Sequence, residues 1–323
     1  MRAPEFWQHD GWIAQALAPA SWLYAAVARA RARGVRPFVA QVPVICVGNL
    51  TTGGTGKTPV AIAVAEHLQA QGRRVAFLTR GYGGRLAGPV RVDPQIHDAV
   101  AVGDEPLLLA DIAPTFVARD RPAGARAAHQ AGAQAIVMDD GLQNPTIAKS
   151  LRLVVVDGET GFGNGRVLPA GPMRVPLDQG LADADVFVLM GEDRLSLAQR
   201  LGRHAPVVRA TLQPDPSAAS LRGRRVYAFA GIGRPAKFFA TLHALGAELA
   251  GCASFADHHR YRADELERLV GAARAADAEL VTTAKDRVRL PAALRERVSI
   301  VRVRAAFVDP EPLLARLAER VHD

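Results

Sequence analysis

Two rhythms of apolar and polar residues alternate along the chain. Short apolar runs bounded by turn residues recur at 42–47, 74–79, 115–118, 135–138, 151–156 and 185–190, and runs of that length predict buried strands. Stretches with helical spacing lie between most of them, at 60–69, 106–112, 123–131 and 195–201. This alternation predicts an α/β fold whose mostly parallel sheet is covered by helices on both faces. A proline- and serine-containing stretch at 206–220 reads as a connection. Beyond it come strands at 225–230, 249–255, 279–283 and 298–303 and helices at 235–245, 263–276 and 310–321. The expected organisation is an N-terminal helix at 1–36, a first domain at 37–205, a linker at 206–222 and a smaller α/β domain at 223–323.

The N-terminal stretch 12–28, WIAQALAPASWLYAAVA, is almost uncharged and is followed by Arg29, Arg31, Arg33 and Arg36. A cleaved signal peptide carries its positive charge before the apolar stretch, not after it. As a helix the stretch is about 25 Å long, against roughly 30 Å of bilayer hydrocarbon, and it contains Gln15 and Pro19. The pattern therefore predicts a helix lying on a membrane surface. Trp7, Trp12, Trp22 and Tyr24 would sit at the interface, with the arginines against anionic headgroups. Packing on the protein's own core is the alternative.

A length of 323 residues accommodates two ordinary domains. The net charge of +8 suits anionic partners such as nucleotides, phosphorylated substrates and acidic lipid. Nucleic acid is not expected: the arginines are scattered, and aromatics, at 6%, are too few to interleave with them as stacking residues. Cys46 and Cys252 lie in apolar runs and read as buried, reduced core residues of a cytosolic chain, not a disulfide or metal framework.

The chemistry begins where the strand at 42–47 ends. Thr51, Thr52, Gly53, Gly54, Thr55, Gly56, Lys57 and Thr58 form a glycine-rich loop ending in Gly-Lys-Thr, directly before a helix. Such a loop turns successive N–H groups toward phosphate oxygens, Lys57 adds charge for the β- and γ-phosphates, and Thr58 offers a hydroxyl to Mg²⁺. ATP and Mg²⁺ are the expected cofactors. The usual P-loop pattern has glycine where this chain has Thr51. Downstream, the strand at 135–138 runs into Asp139 and Asp140, and a carboxylate in that place helps to hold Mg²⁺ beside the nucleotide. Strand alternation lets only one of the two face the metal, and the residues alone leave open which.

Further candidates are weaker. Asp104, in Gly103-Asp104-Glu105-Pro106, suits a helix N-cap as well as a site. His258 and His259, in FADHHRY, do not make a zinc site without further ligands at suitable spacing; one of them suits a general-base role or an ordinary surface role. The loops RGYGG at 80–84 and FGNGR at 162–166 follow strands and would line the same edge. Lys285-Asp286 lacks the Asn-Lys-x-Asp arrangement that reads guanine.

Taken in order, VGNLTTGGTGKTPV, TRGYGG, VGDEPLLLA, MDDGLQ, FGNGRVLPAGPMR, FAGIGRP, FADHH and TTAKD resemble the tetraacyldisaccharide 4'-kinase family, from about residue 40 to residue 290. Threonine at the first loop position is similar to that family's own pattern. The resemblance implies transfer of the ATP γ-phosphate to the 4'-hydroxyl of a lipid A disaccharide precursor at the cytoplasmic face of the inner membrane. It also implies two α/β domains whose closure assembles a catalytic pair, Asp104 and His258. The chain departs from the family at Asn144-Pro145, where histidine is common after DDGxQ, and at Arg234, where asparagine is common. A soluble P-loop kinase or ligase and a nucleotide-switched binding protein are the competing readings.

Overall fold

A computed structural model describes residues 4–321; the first three residues of the expected N-terminal segment and the last two of the expected C-terminal domain lie outside the described residues. Among the described residues, thirteen strands form two sheets. In chain order they are β1 (Val44–Gly48), β2 (Val75–Thr79), β3 (Val90–Arg91), β4 (Thr115–Val117), β5 (Ala135–Asp139), β6 (Leu151–Asp157), β7 (Val186–Met190), β8 (Val207–Pro214), β9 (Arg225–Ala230), β10 (Glu248–Ser254), β11 (Glu279–Thr283), β12 (Ser299–Val301) and β13 (Val303–Phe307). The large sheet has the order β13-β8-β7-β6-β1-β5-β2-β4-β3 and the small one β10-β9-β11-β12. Pairing is parallel except at the two ends of the large sheet, where β3 and β13 run antiparallel to β4 and β8.

The central strands β1, β2, β5 and β7 are buried at every residue. Burial on both faces is why they read as continuous apolar runs. On one face Ile45, Val47, Phe77 and Val137 pack against Val60, Val64 and Leu68 of the helix Lys57–Ala70. On the other face Cys46, Leu78, Ile136 and Met138 meet Ala125 and Ala128 of the helix Arg121–Gln130. Successive residues of one strand thus serve opposite layers.

Four expectations are corrected. The first half of the expected linker is strand β8 of the large sheet, and the short 3-10 helix Pro216–Leu221 leads into the small one. The expected strand at 298–303 is two strands: β12 completes the small sheet, then β13 returns to the large sheet beside β8. The last helix, Glu311–Arg320, accordingly buries Leu313 and Leu317 in the large domain's core, so the small domain does not run to the C-terminus. Cys46 is buried as expected, but Cys252 is exposed, because β10 is an edge strand with an open face.

The N-terminal stretch is two helices, Trp12–Ala16 and Ala18–Ala32, broken at Leu17 just before Pro19. No helix among the described residues is long and apolar enough to cross a membrane. The second helix docks through its small residues: Ser21 donates to the Val167 carbonyl at 2.7 Å and accepts from Ala170 N at 3.1 Å. Trp12, Trp22 (73% exposed), Leu23, Tyr24 and Val27 face outward.

Candidate active site

All central strands of the large sheet end on one edge, and the loops there carry the chemistry. The loop after β1 is open: side-chain atoms placed at Gly53 and Gly54 would meet nothing within 4 Å. Gly56 adopts φ +89°, a left-handed conformation that favours glycine. It stands where the helix Lys57–Ala70 needs a cap, yet no side chain caps that helix. Its first N–H groups and its positive dipole end are left for an anion. The segment before Arg174 braces the loop from outside. Thr52 N donates to the Pro172 carbonyl at 2.8 Å, Arg174 N donates to the Leu50 carbonyl at 2.8 Å, and Thr51 bridges Met173.

The two aspartates at the end of β5 point apart, the second because the chain leaves the extended conformation there. Asp139 ends the strand, is buried, and accepts from Thr58 Oγ1 at 2.9 Å through Oδ2, while its Oδ1 has no protein partner. Burial pushes its carboxyl well above the usual range, the Glu105 charge adds to this, and Lys57 opposes it. An orphaned, buried carboxylate oxygen beside a hydroxyl is a donor set that suits a hard cation. Mg²⁺ needs only one or two such ligands when phosphates and water supply the rest. Asp140 has turned away at φ +56°. Arg174 Nη1 donates to both its oxygens, at 2.8 and 3.0 Å, and Lys57 Nζ lies 3.9 Å from Oδ2. Arg121, buried behind this turn, donates to the carbonyls of Ala118 and Asp140.

The second half of the site comes from both domains. Asp104 opens the helix Asp104–Ala110 of the large domain, and His258 follows β10 of the small one. Their side chains meet at 2.7 Å, Nδ1 to Oδ2. Lys285 Nζ lies 3.2 Å from His258 Nε2. A carboxylate accepts, so the 2.7 Å contact assigns the ring proton to Nδ1 and leaves Nε2 to accept from the ammonium; Arg289 Nη2, 3.4 Å from Nδ1, is directed at Asp104 Oδ2 at 2.6 Å. Arg289 also donates to Asp104 Oδ2, from Nε at 2.7 Å. Burial pushes the Asp104 carboxyl up, but the hydrogen bonds from His258 and Arg289 outweigh it and hold it at about 2. His258 sits at φ +59°. It and Asp140 are thus non-glycine residues in left-handed conformations that cost about 1–3 kcal/mol and persist where the surroundings over-determine them.

Further ion pairs join the domains at their rim. Arg234 reaches Asp157 at 3.3 Å and Glu159 at 3.1 Å, and Lys237 reaches Glu159 at 3.0 Å. Arg234, where the chain departs from the family pattern, is therefore a bridge between domains. Asn144, the other departure, accepts from Thr146 N and Oγ1 and shapes a turn. Arg174 and Arg289 were not singled out from the sequence, and Lys285 was weighed only as part of a guanine-reading arrangement. Arg174 and Lys285 at least lay within recognisable segments, whereas Arg289 carried no signal. Together the groups place an uncapped helix start behind a glycine-rich loop, a buried carboxylate–hydroxyl pair and a histidine-bonded carboxylate at one edge of the sheet.

The model of the family described as tetraacyldisaccharide-1-P 4'-kinase matches residues 13–322. The tetraacyldisaccharide 4'-kinase of Rhodospirillum centenum is 53% identical over 324 residues, covering 98% of this chain and 96% of that protein. The enzyme of the same name from a Methylobacterium species is 54% identical over 325 residues, covering 98% and 97%. Among solved structures, LpxK from Aquifex aeolicus in complex with ATP shares the fold at a TM-score of 0.77, with 24% identity, covering 96% of this chain and 100% of that one.

Proposed function

The chain belongs to the tetraacyldisaccharide 4'-kinase family, and from that premise we propose how its residues divide the work. The reaction is transfer of the γ-phosphate of ATP to the 4'-hydroxyl of tetraacyldisaccharide 1-phosphate, a step of lipid A biosynthesis. The loop N–H groups and Lys57 bind the phosphates. Thr58 and Asp139 would hold Mg²⁺, which when bound neutralises charge on the β- and γ-oxygens. Arg174 is released from Asp140 to meet phosphate oxygens, for which a guanidinium fork is suited.

The observation that carries this reading is the 2.7 Å contact of Asp104 with His258 across the two domains, on the same sheet edge as the nucleotide loop. Asp104 accepts the hydrogen bond of the acceptor hydroxyl and orients its oxygen toward phosphorus. A carboxyl held near 2 is a weak base. It suits a loose phosphoryl-transfer transition state, in which positioning outweighs early proton removal. His258 fixes the carboxylate's direction through Nδ1.

The exposed apolar residues of the N-terminal helices, with Arg29, Arg31, Arg33 and Arg36 after them, fit peripheral contact with an anionic membrane surface. That surface would be the cytoplasmic face of the inner membrane, where the lipid acceptor resides. Incubation of the protein with radiolabelled ATP and the disaccharide precursor in detergent tests the activity. Label moving into the lipid-soluble fraction is expected. Release of free phosphate alone would favour a nucleotide-switched binding protein.

A further inference from the structure

We propose that Arg289 is a positioning residue for the transfer: it anchors Asp104 to the core of the small domain and leaves one carboxylate oxygen for the acceptor hydroxyl. The inference rests on the reading of Asp104 as the group that meets that hydroxyl.

Arg289 lies just beyond the short helix Ala284–Arg287 that follows β11, and its side chain is 3% exposed. Its Nε and Nη2 both point at Asp104 Oδ2, at 2.7 and 2.6 Å. Its Nη1 donates to the Gly231 carbonyl at 2.8 Å and to Asp286 Oδ1 at 3.0 Å. Asp286 is wholly buried and also accepts from Gly231 N, Tyr261 OH and Thr283 Oγ1. One guanidinium thus ties the first residue of a large-domain helix to the loops after β9 and β11. A lysine ammonium has no planar fork with which to span the same set of acceptors.

The consequence falls on Asp104. Its Oδ2 is filled by Arg289 and His258, and among the described residues its Oδ1 takes no hydrogen bond, so one lone-pair direction stays available. The charged groups around it are few. His258 and Arg289 face it from the small domain, Lys285 and Asp257 stand behind His258, Asp286 lies beyond Arg289, and Glu105 is its chain neighbour. Removing Arg289 takes away one of the two partners that oppose the burial of Asp104.

The test uses the full chain, labelled ATP and the disaccharide precursor in detergent, with rates measured from about pH 4 to 9. Arg289→Gln is expected to lower kcat about a hundredfold, to leave KM for ATP within about twofold, and to raise the acid limb of kcat by about two pH units or more, into the measured window, from about 2, where Asp104 of the parent lies below it. Arg289→Lys should restore part of the rate and return the limb toward its parental position. A parental rate and profile for Arg289→Gln would overturn the proposal. So would a loss of kcat with an unmoved acid limb and a raised KM for ATP, which is the signature of a merely structural role. Should Arg289→Gln not fold, judged by ATP-dependent melting, Arg289→Lys decides: about a tenfold loss of kcat at unchanged KM for ATP supports the proposal, and a parental kcat overturns it. Asp104→Asn run alongside separates the two layers. If it transfers phosphate at the parental rate, the reading of Asp104 fails and the proposal with it. If it is inactive while Arg289→Gln behaves as the parent, only the role of Arg289 falls.

Discussion

Glu159 is the hub of the rim contacts between the domains, and replacing it with glutamine should loosen their closure without touching the chemistry. It receives Arg234 at 3.1 Å and Lys237 at 3.0 Å. Both cations are well exposed, at 45% and 61%, and Glu159 itself is 31% exposed. Ion pairs this open to solvent are worth about 0.2–1 kcal/mol each. Losing two of them while Arg234 keeps Asp157 removes roughly 1 kcal/mol, about a fivefold shift in the equilibrium between joined and separated domains. The buried contacts of Asp104 with His258 and Arg289 remain. Steady-state transfer by Glu159→Gln at low ionic strength should therefore fall by no more than about fivefold. Raising NaCl to about 0.5 M should slow the parent toward the variant and change the variant little, because salt screens the same pairs. A loss beyond about fiftyfold, or a parent indifferent to salt, would refute the assignment of these pairs as a modest, exposed latch.

Other outcomes follow from the same geometry. Thr58→Ala removes the hydroxyl beside Asp139 and should cut transfer by about 10²-fold or more with a higher Mg²⁺ requirement, read by titrating the metal at saturating ATP. Because the folded-state pKa of Asp104 is depressed to about 2 from 3.8, its contribution to stability is complete above pH 3.8 and is lost as the pH falls through about 2. Acid unfolding of Asp104→Asn should accordingly lack part of the pH dependence that the parent shows in that window, measured by denaturant midpoints at each pH. Replacing both Trp22 and Leu23 with glutamate should reduce cosedimentation with anionic phosphatidylglycerol vesicles severalfold while leaving transfer to a detergent-dispersed acceptor within about twofold.

The parts of the fold that were legible in the sequence are those buried on both sides. β1, β2, β5 and β7 show as unbroken apolar runs because no residue in them faces water. The nucleotide loop was equally plain, since its chemistry is local: glycines, Lys57 and Thr58 in one short stretch. Long-range relations were not legible. Nothing in the apolar stretch around Ile300 marks the residue at which the chain leaves the small sheet, because β12 and β13 have the same pattern and differ only in their partners. The break at Leu17 was only hinted at by Pro19, which by its place in the first turn of the second helix is compatible with an uninterrupted pattern. At the site, Asp104 and His258 each read alone as a cap or a surface residue as readily as a site residue. Only resemblance paired them, because 154 positions separate them in the chain. Arg289 had no local signature at all; its meaning comes from Asp104, which the fold brings to it from the other domain, beside Asp286 three residues before it.

The central claim is that Asp104 and His258 act as one unit across the domain boundary. A double-mutant cycle on kcat tests it directly, with Asp104→Asn, His258→Ala and the combined variant assayed for label transfer to the lipid acceptor at saturating ATP. Groups that work through each other are grossly non-additive, so the double variant should be no slower than Asp104→Asn alone, within about threefold. Losses that multiply, with His258→Ala slowing the Asp104→Asn protein as much as it slows the parent, would show that the two residues act independently.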